Sequence, residues 1–134
     1  MTGMNGLLGY ATYLPAWRTD PRGGDRATRV VAAFDEDATT MAVEAAARAL
    51  GDREPATVES LLLATSSPPY ADKTNATAVH AALGLSPSAF AADLGSTARS
   101  TFAALRLAAL GGGLVVASDV RVGRPGSADE RGGA

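Results

Sequence analysis

The chain has no cysteine, one histidine (His80), few aromatic residues and no long apolar run. Without cysteine it can form no disulfide, no thiolate nucleophile and no cysteine-ligated zinc site. A single histidine also excludes a metal centre built from several imidazoles. We therefore expect neither a bound metal nor a cofactor, while the redox compartment stays open because cysteine usage is the signal that would indicate it.

The chain also lacks a strong charge of either sign. Twelve lysine and arginine residues oppose 14 aspartate and glutamate residues, which leaves a net charge of −2. Nucleic-acid binders need a basic surface to neutralise phosphates, so no nucleic-acid partner is expected. The longest apolar run, Leu105–Ala117, is broken by Arg106 and three glycines, whereas a membrane span needs about 20 apolar residues. Residues 1–9 carry no basic residue ahead of their apolar stretch, which argues against a secretory signal, and we expect a cytoplasmic protein.

The 134 residues are 46% hydrophobic, which is enough for one compact core. Short apolar runs alternate with helical patterns along the chain. The apolar runs predict four strands, at Gly6–Tyr13, Val58–Ala64, Phe90–Leu94 and Leu114–Ser118. A surface loop is predicted at Asp20–Asp37 and a turn at Ser66–Tyr70.

Three helices are predicted between these strands. The first carries one apolar stripe and ends at Gly51, the second runs from Asn75 to Leu83, and Gly111–Gly113 must end the third. The predicted stripes consist of Val43, Ala46, Ala47 and Leu50 in the first helix and Ala98, Phe102, Leu105 and Ala109 in the third.

The alternation of strands and helices predicts an α/β fold with a mainly parallel sheet and helices on its faces. Three consecutive leucines, Leu61–Leu63, indicate a strand covered on both faces. We assign residues 1–120 to this domain and expect the glycine-rich tail, residues 121–134, to be poorly ordered.

Several motifs permit a functional and a purely structural interpretation. Gly111–Gly113 closes a helix and precedes a strand, the reverse of a dinucleotide-binding fingerprint, so a helix stop is favoured. His80 has no acidic neighbour at helical spacing and is more typical of a half-buried histidine than of a catalytic base. The acidic run Asp35–Asp37 suits the positive end of the following helix better than it suits a cation.

Hydroxyl residues surround the junction between the third strand and the third helix. Free amides of a first helical turn can bind an anion or stabilise an oxyanion, and ordinary N-capping by Ser96 or Thr97 is the alternative. The residues alone leave both interpretations open; those concerned are Ser96, Thr97, Ser100 and Thr101.

Three segments together resemble the hydroxymethylglutaryl-CoA synthase family of the thiolase superfamily, which is related to ketoacyl synthase III. They are AFDEDATTMAVEAAARAL (33–50), ATSSPPYADKTNATAVHAALG (64–84) and ADLGSTARSTFAALRLA (92–108). The opening GLLGYATYLPAWR and the closing VVASDVRVGRPGSADE fit the same family in order and spacing. The resemblance covers only the N-terminal part of a family member, and it implies one thiolase-like half without the family's catalytic histidine and asparagine.

The resemblance also places the family's two reacting groups on this chain. The nucleophilic cysteine falls at Ala98 within STARST, and the glutamate used as acid and base falls at Ser66. A methyl group cannot attack a thioester, and a neutral serine cannot take a substrate proton near pH 7 as a carboxylate can. The resemblance therefore implies an acyltransferase-family protein without an intact catalytic set, and we expect no condensation from this chain alone.

What the resemblance leaves is a binding site and three hypotheses. An acyl-CoA pocket would have Trp17 and Arg18 near its mouth, although Trp17 packed over a sheet edge is the alternative. Near its floor would lie Ser66, Tyr70, Thr97 and Ala98. The chain is then a binding module, one piece of a split condensing enzyme, or a gene remnant. The partners implied are a second copy, a thiolase-like subunit, or an OB-fold and zinc-ribbon protein.

Overall fold

A computed structural model describes residues 6–19, 29–95, 97–121, 123–124 and 126–127. Among these residues, no helix combines the length and the hydropathy that crossing a membrane requires. In chain order the elements are β1 (Trp17–Thr19), β2 (Arg29–Val31), α1 (Ala38–Leu50), a 3-10 turn (Pro55–Thr57), β3 (Ser60–Thr65), α2 (Asn75–Ala82), β4 (Phe90–Gly95), α3 (Ser100–Gly111) and β5 (Leu114–Ala117).

Helix α1 confirms the most regular pattern in the sequence. It begins with a capping box, in which the Asp37 carboxylate accepts from the Thr40 amide at 2.7 Å and the Thr40 hydroxyl accepts from the Asp37 amide at 2.8 Å. Ala46 and Leu50 are buried and Val43 packs beside them, as predicted. Ala47 is exposed, so the buried stripe runs through Ala42 instead, which lies four residues before Ala46.

The central sheet has three parallel strands in the order β4-β3-β5. Leu62 of the middle strand pairs with Ala92 on one side and with Val115 on the other, and Leu61–Leu63 are buried as expected. Helices α1 and α2 cover one face in a single apolar cluster. Its buried members are Ala42, Ala46, Leu50, Val58, Leu61, Leu63, Ala76, Val79, Leu85 and Val116.

Helix α3 covers the opposite face of the sheet, toward which Leu62 points because side chains alternate along a strand. Its predicted stripe is wrong. Ala104 is the buried residue of the helix, while Phe102 is 74% exposed and Leu105 about half exposed. The small side chains face the sheet because they allow a close approach of helix and strand, and the large ones therefore point outward.

The first predicted strand, Gly6–Tyr13, is also wrong, and the sheet has three strands where four were expected. Residues 6–16 form no strand but run beside α1. Arg53 donates to the carbonyl oxygen of Leu8, and Arg48 donates to that of Thr12 at 3.4 Å. A strand needs a neighbouring strand for its backbone groups, and in the described chain this segment has none.

The short strands β1 and β2 form a separate antiparallel pair, with Trp17 opposite Val31. β2 lies within the predicted loop Asp20–Asp37, so that loop is shorter than expected; residues 20–28 lie outside the described ones. The predicted tail falls mostly outside them as well, and its poor order stays a prediction.

Glu36 joins the segment before β1 to the entrance of α1. Its carboxylate accepts from the Ala33 amide at 2.7 Å and from the Tyr13 hydroxyl. Both hydrogen bonds favour the charged form, the Ala33 bond most, and they lower the pKa of Glu36. The hydrogen bond with Glu36 also raises the pKa of Tyr13, because the hydroxyl donates its proton to a negatively charged carboxylate and is therefore harder to deprotonate.

The glycine-rich turn between α3 and β5 confirms the structural interpretation of Gly111–Gly113. Gly112 has φ of 81°, a conformation that side chains disfavour. A Cβ at Gly113 would lie 2.1 Å from the Ser60 hydroxyl oxygen. This turn therefore requires glycine for backbone reasons, as a helix stop does.

Candidate functional site

The carboxyl ends of the three parallel strands meet at one edge of the sheet, and the candidate residues of three segments lie there. Ser66 follows β3, Thr97 and Ala98 follow β4, and Asp119 comes two residues after β5. The strands keep register up to this edge, since Thr65 pairs with Gly95 and Ala64 with Ala117. In α/β folds, ligands bind beyond the carboxyl ends of the strands, so we treat this edge as the candidate site.

Asp119 organises the loop that begins at Ser66. One carboxylate oxygen accepts from the Ser66 amide at 2.5 Å, from the Ser66 hydroxyl at 2.9 Å and from the buried Thr65 hydroxyl at 3.2 Å. The Ser67 hydroxyl in turn accepts from the Val120 amide at 2.8 Å. These hydrogen bonds connect the residues that follow β3 to those that follow β5.

A second set of hydrogen bonds anchors the far end of the same loop at Tyr70. The side chain of buried Asn75 accepts from the Tyr70 amide at 3.1 Å and donates to the Tyr70 carbonyl at 3.0 Å. Asp93, on β4, accepts from the amides of Asn75 and Ala76 at 2.7 and 2.6 Å, and so caps α2. The Lys73 ammonium lies 3.7 Å from the centre of the Tyr70 ring.

The first amides of α3 itself have partners in the turn that precedes the helix. The amides of Ser100 and Thr101 donate to the carbonyls of Thr97 and Ala98, at 2.9 and 3.3 Å. The amide of Phe102 donates to Arg99 at 3.1 Å. Thr97 does not cap the helix through its side chain, because the helix begins later, at Ser100; Ser96 lies outside the described residues.

Two of the predicted pocket residues, Trp17 and Arg18, lie on β1, which pairs with β2 and not with the central sheet. The Arg18 guanidinium donates to the carbonyls of Pro15 and Trp17 within its own segment. Trp17 is 67% exposed. The structure brings Ser66 and Thr97 to one edge and links Tyr70 to it by the loop, while the pocket roles of Trp17 and Arg18 stay predictions.

His80 and the acidic run have structural partners. The Nε2 atom of His80 lies 2.9 Å from the carbonyl oxygen of Ser86, in the turn that leads into β4, and the side chain is half-buried as expected. Asp37 caps α1 and Glu36 holds Tyr13 and Ala33. Within the described ranges, no three His, Asp or Glu side chains are grouped so that they could hold a metal ion.

Sequence reasoning missed the residues that shape this edge, namely Asp119, Asn75 and Asp93. A signal for Asp119 was present, because it directly follows a predicted strand, where side chains of parallel strands converge. Asn75 gave no such signal, since its role depends on a contact with Asp93 across 18 residues.

The side chains at this edge offer hydrogen-bonding groups. Ala98 presents a methyl group, and the Ser66 hydroxyl donates to Asp119 without a histidine to accept its proton. A serine nucleophile needs an adjacent general base that takes its proton during attack. The exposed hydroxyls of Ser66 and Thr97 can form hydrogen bonds with a ligand.

Comparison with known proteins gives one consistent relationship. No family model matches the chain. It is 31% identical over 144 aligned positions to the hydroxymethylglutaryl-CoA synthase of Aeropyrum pernix, which covers 90% of this chain and 40% of that synthase. The chain therefore spans less than half the length of the curated relatives it matches.

Solved structures give the same result for the fold. A structure of HMG-CoA synthase complexed with CoA has a TM-score of 0.71 and 28% identity, covering 78% of this chain and 29% of that one. MvaS in complex with 3-hydroxy-3-methylglutaryl coenzyme A has a TM-score of 0.80 and 24% identity, covering 96% of this chain and 38% of that one. The chain thus has the thiolase-like α/β fold that its sequence predicts.

Replacing Asp119 tests how far this carboxylate supports the site. The Asp119→Ala change leaves the buried Thr65 hydroxyl without its acceptor and is expected to lower the free energy of unfolding by about 1–3 kcal/mol, measured by urea denaturation. Asp119→Asn keeps one acceptor oxygen and is expected to lower it less. The exposed Asp72→Ala change is the matched control and should stay within about 0.5 kcal/mol. An Asp119→Ala variant as stable as this control would contradict the assigned role.

Proposed function

We propose that this chain, a partial relative of the hydroxymethylglutaryl-CoA synthases, is a catalytically inactive synthase-like protein that retains a binding role. The ligand is an acyl-CoA thioester or a protein partner, and the setting is the cytoplasm. The observation that carries the proposal is Ala98, a methyl group at the strand-to-helix junction where the family resemblance places the nucleophilic cysteine.

The second family position supports the same conclusion. Ser66 stands where the resemblance places the acid and base glutamate, and its hydroxyl donates to Asp119. A hydroxyl in that position cannot abstract a proton from an acetyl group near neutral pH. Neither the carbon nucleophile nor the acyl-enzyme of a condensation can form with these two side chains.

Acyl-CoA binding is supported by the preserved sheet edge. The loop from Ser66 to Tyr70 is held at both ends, by Asp119 and by Asn75, although its catalytic residue is absent. The matched HMG-CoA synthase carries CoA in its structure. We propose that Ser66, Tyr70 and Thr97 contact the acyl-thioester end of such a ligand, and that Trp17 and Arg18 contact it nearer the mouth of the pocket.

Partner binding is supported by the outer surface of α3. Phe102 is 74% and Leu110 78% exposed, and Arg106 is the one charged residue between Ser100 and Gly111. Large exposed apolar surfaces of this kind are typical of interaction sites. A homodimer, or a complex with a thiolase-like or an OB-fold and zinc-ribbon subunit, would cover this surface.

A split enzyme is the second candidate, because the chain spans about 40% of the synthases it matches. In that case a second polypeptide supplies the remaining part, and the missing cysteine argues against it. A gene remnant is the third, and the intact capping box and buried faces argue against prolonged drift. The DNA downstream of the coding sequence, read for a second half, discriminates between these candidates.

We expect no thiol-dependent acyl transfer from this chain. Incubation with labelled acetyl-CoA should leave the protein unlabelled, because Ala98 provides no nucleophile. The Ala98→Cys variant should also fail to condense acyl groups, since the histidine that would activate the sulfur is absent at the site.

A second cysteine variant controls for the general reactivity of an exposed thiol with acetyl-CoA. The Ala47→Cys variant places a thiol on the exposed side of α1, away from the sheet edge. Labelling of the two variants at equal rates is the expected result. Stable acetylation of the parent chain, or condensation by the Ala98→Cys variant, would contradict the proposed inactivity.

We further expect the chain to associate. At low micromolar concentration it should sediment as a species larger than its 13.5 kDa monomer, because the outer face of α3 and the edge strand β4 are uncovered. The Phe102→Glu change should weaken association, whereas Phe34→Glu, at a fully exposed phenylalanine before α1, should not. A parent chain that stays a single monomer and melts cooperatively would contradict this proposal.

A further inference from the structure

The antiparallel pair of β1 and β2, called the arm below, stands apart from the rest of the fold. The two strands pair with each other, and within the described residues neither packs extensively against a helix or the central sheet. A two-stranded pair on its own is at best marginally stable in water. Contacts at the root of the arm therefore determine how Trp17 and Arg18 of β1 are held.

The Glu36 carboxylate joins the two segments at this root. Tyr13 lies four residues before β1, and Ala33 lies two residues after β2. Both flank the end of the arm where Trp17 pairs with Val31. One carboxylate oxygen accepts from the Tyr13 hydroxyl, and the other accepts from the Ala33 amide at 2.7 Å. A single side chain thus connects the segment that enters the arm to the segment that leaves it.

Helix α1 supports the Tyr13 side of this contact. The Arg48 guanidinium lies 4.8 Å from the centre of the Tyr13 ring and donates to the Thr12 carbonyl at 3.4 Å. Arg48 also forms an ion pair with Glu44 at 3.6 Å, and both of these side chains are exposed. The ring is therefore placed by α1, while its hydroxyl donates to Glu36.

We propose that Glu36 is a positioning residue, which holds the arm to the start of α1 and whose protonation loosens the arm while the core stays folded. The arm and the core can separate because the buried cluster of the core contains no residue of β1 or β2. Through the arm, Glu36 orients Trp17 and Arg18. That last consequence rests on the proposed function, in which these two side chains contact an acyl-CoA, whereas the attachment of the arm does not.

The ionised form of Glu36 is the form that fits this contact. A carboxylate offers an acceptor oxygen to each of the two donors, whereas the protonated acid carries a donor hydroxyl on one of its oxygens. The hydrogen bonds from Ala33 and Tyr13 lower the pKa of Glu36. The attachment is therefore complete at neutral pH and is lost as the pH falls through that lowered pKa.

Other charged groups near this contact have different roles. They are Asp35 and Asp37 beside Glu36 in sequence, Glu44 and Arg48 on α1, and Arg18 on the arm. Asp37 accepts from the Thr40 amide, and Arg18 donates to carbonyl oxygens of its own segment. Glu44 raises the pKa of Tyr13 and Arg48 lowers it, each by less than Glu36 raises it. Within the described residues, Glu36 is thus the acceptor that both sides of the root share.

Amide hydrogen exchange of the full chain, followed by mass spectrometry, measures the arm and the core separately. Glu36→Ala is expected to raise exchange severalfold in Trp17–Thr19 and Arg29–Val31 and to leave α1 and β3 unchanged. The matched control is Asp35→Ala, which removes an exposed carboxylate from the same turn and should leave the arm unchanged. Equal exchange of the arm in the two variants would overturn the proposal. Faster exchange throughout the Glu36→Ala chain would also overturn it, because arm and core would then open together.

A second variant tests the same contact from the other side. Tyr13→Phe removes the hydroxyl and keeps the ring beside Arg48, so it should also raise exchange of the arm. Because the hydroxyl acts through Glu36, Tyr13→Phe should have little further effect in a chain that already carries Glu36→Ala. Additive effects of the two substitutions would contradict a shared contact.

The pH profile separates a titrating carboxylate from a purely structural side chain. After correction for the intrinsic exchange rate, exchange of the arm in the parent chain should rise between about pH 7 and about pH 3, where glutamates become protonated. Glu36→Gln cannot titrate and should show no such rise. A rise of equal size in Glu36→Gln would contradict the proposal.

Titration with acetyl-CoA, measured by calorimetry, tests the consequence for the ligand. Glu36→Ala should weaken binding severalfold, and Asp35→Ala should not. Equal affinities of these variants, with a loosened arm in Glu36→Ala, would contradict the orienting role. A parent chain that does not bind acetyl-CoA would contradict the proposed acyl-CoA role alone, because the exchange comparison decides the attachment of the arm.

Discussion

The parallel pairing of β3 with both of its neighbours determines the rest of this structure. Because β3 is the middle strand, Leu61–Leu63 are buried on two faces, and helices must cover both. Parallel pairing also requires a crossover between consecutive strands, which α2 and α3 supply. The same pairing brings the ends of all three strands to one edge, where Ser66, Ala98 and Asp119 follow them.

At that edge, two sets of hydrogen bonds hold the loop between β3 and α2 in place. The Asp119 carboxylate holds the Ser66 loop, and Asp93 holds Asn75, which holds Tyr70. These hydrogen bonds stabilise the fold whether or not chemistry takes place, because they satisfy buried or partly buried polar groups. The geometry of this edge therefore does not depend on catalysis, and it is compatible with the binding role proposed above.

Local patterns predicted most of the fold. The three central strands and three helices follow from periodicity and from glycine at the helix ends, as at Gly51 and Gly112. Two predictions failed where the outcome depends on a neighbour. Gly6–Tyr13 has strand composition but no adjacent strand, and α3 turns Phe102 outward because Ala104 makes the close contact with the sheet. Asp119 and Asn75 were missed because their partners lie far away in sequence.

The open edge of β5 connects these features, because the segment Gly6–Tyr13 has no strand beside it in the described residues with which to pair. Residue-resolved amide exchange of the isolated chain tests the openness of this edge most directly. The account predicts slow exchange at Val116 and Ser118, whose amides point to β3, and fast exchange at Val115 and Ala117, whose amides point away from β3. Protection of Val115 and Ala117 equal to that of Val116 would contradict it, because the edge would then already be covered.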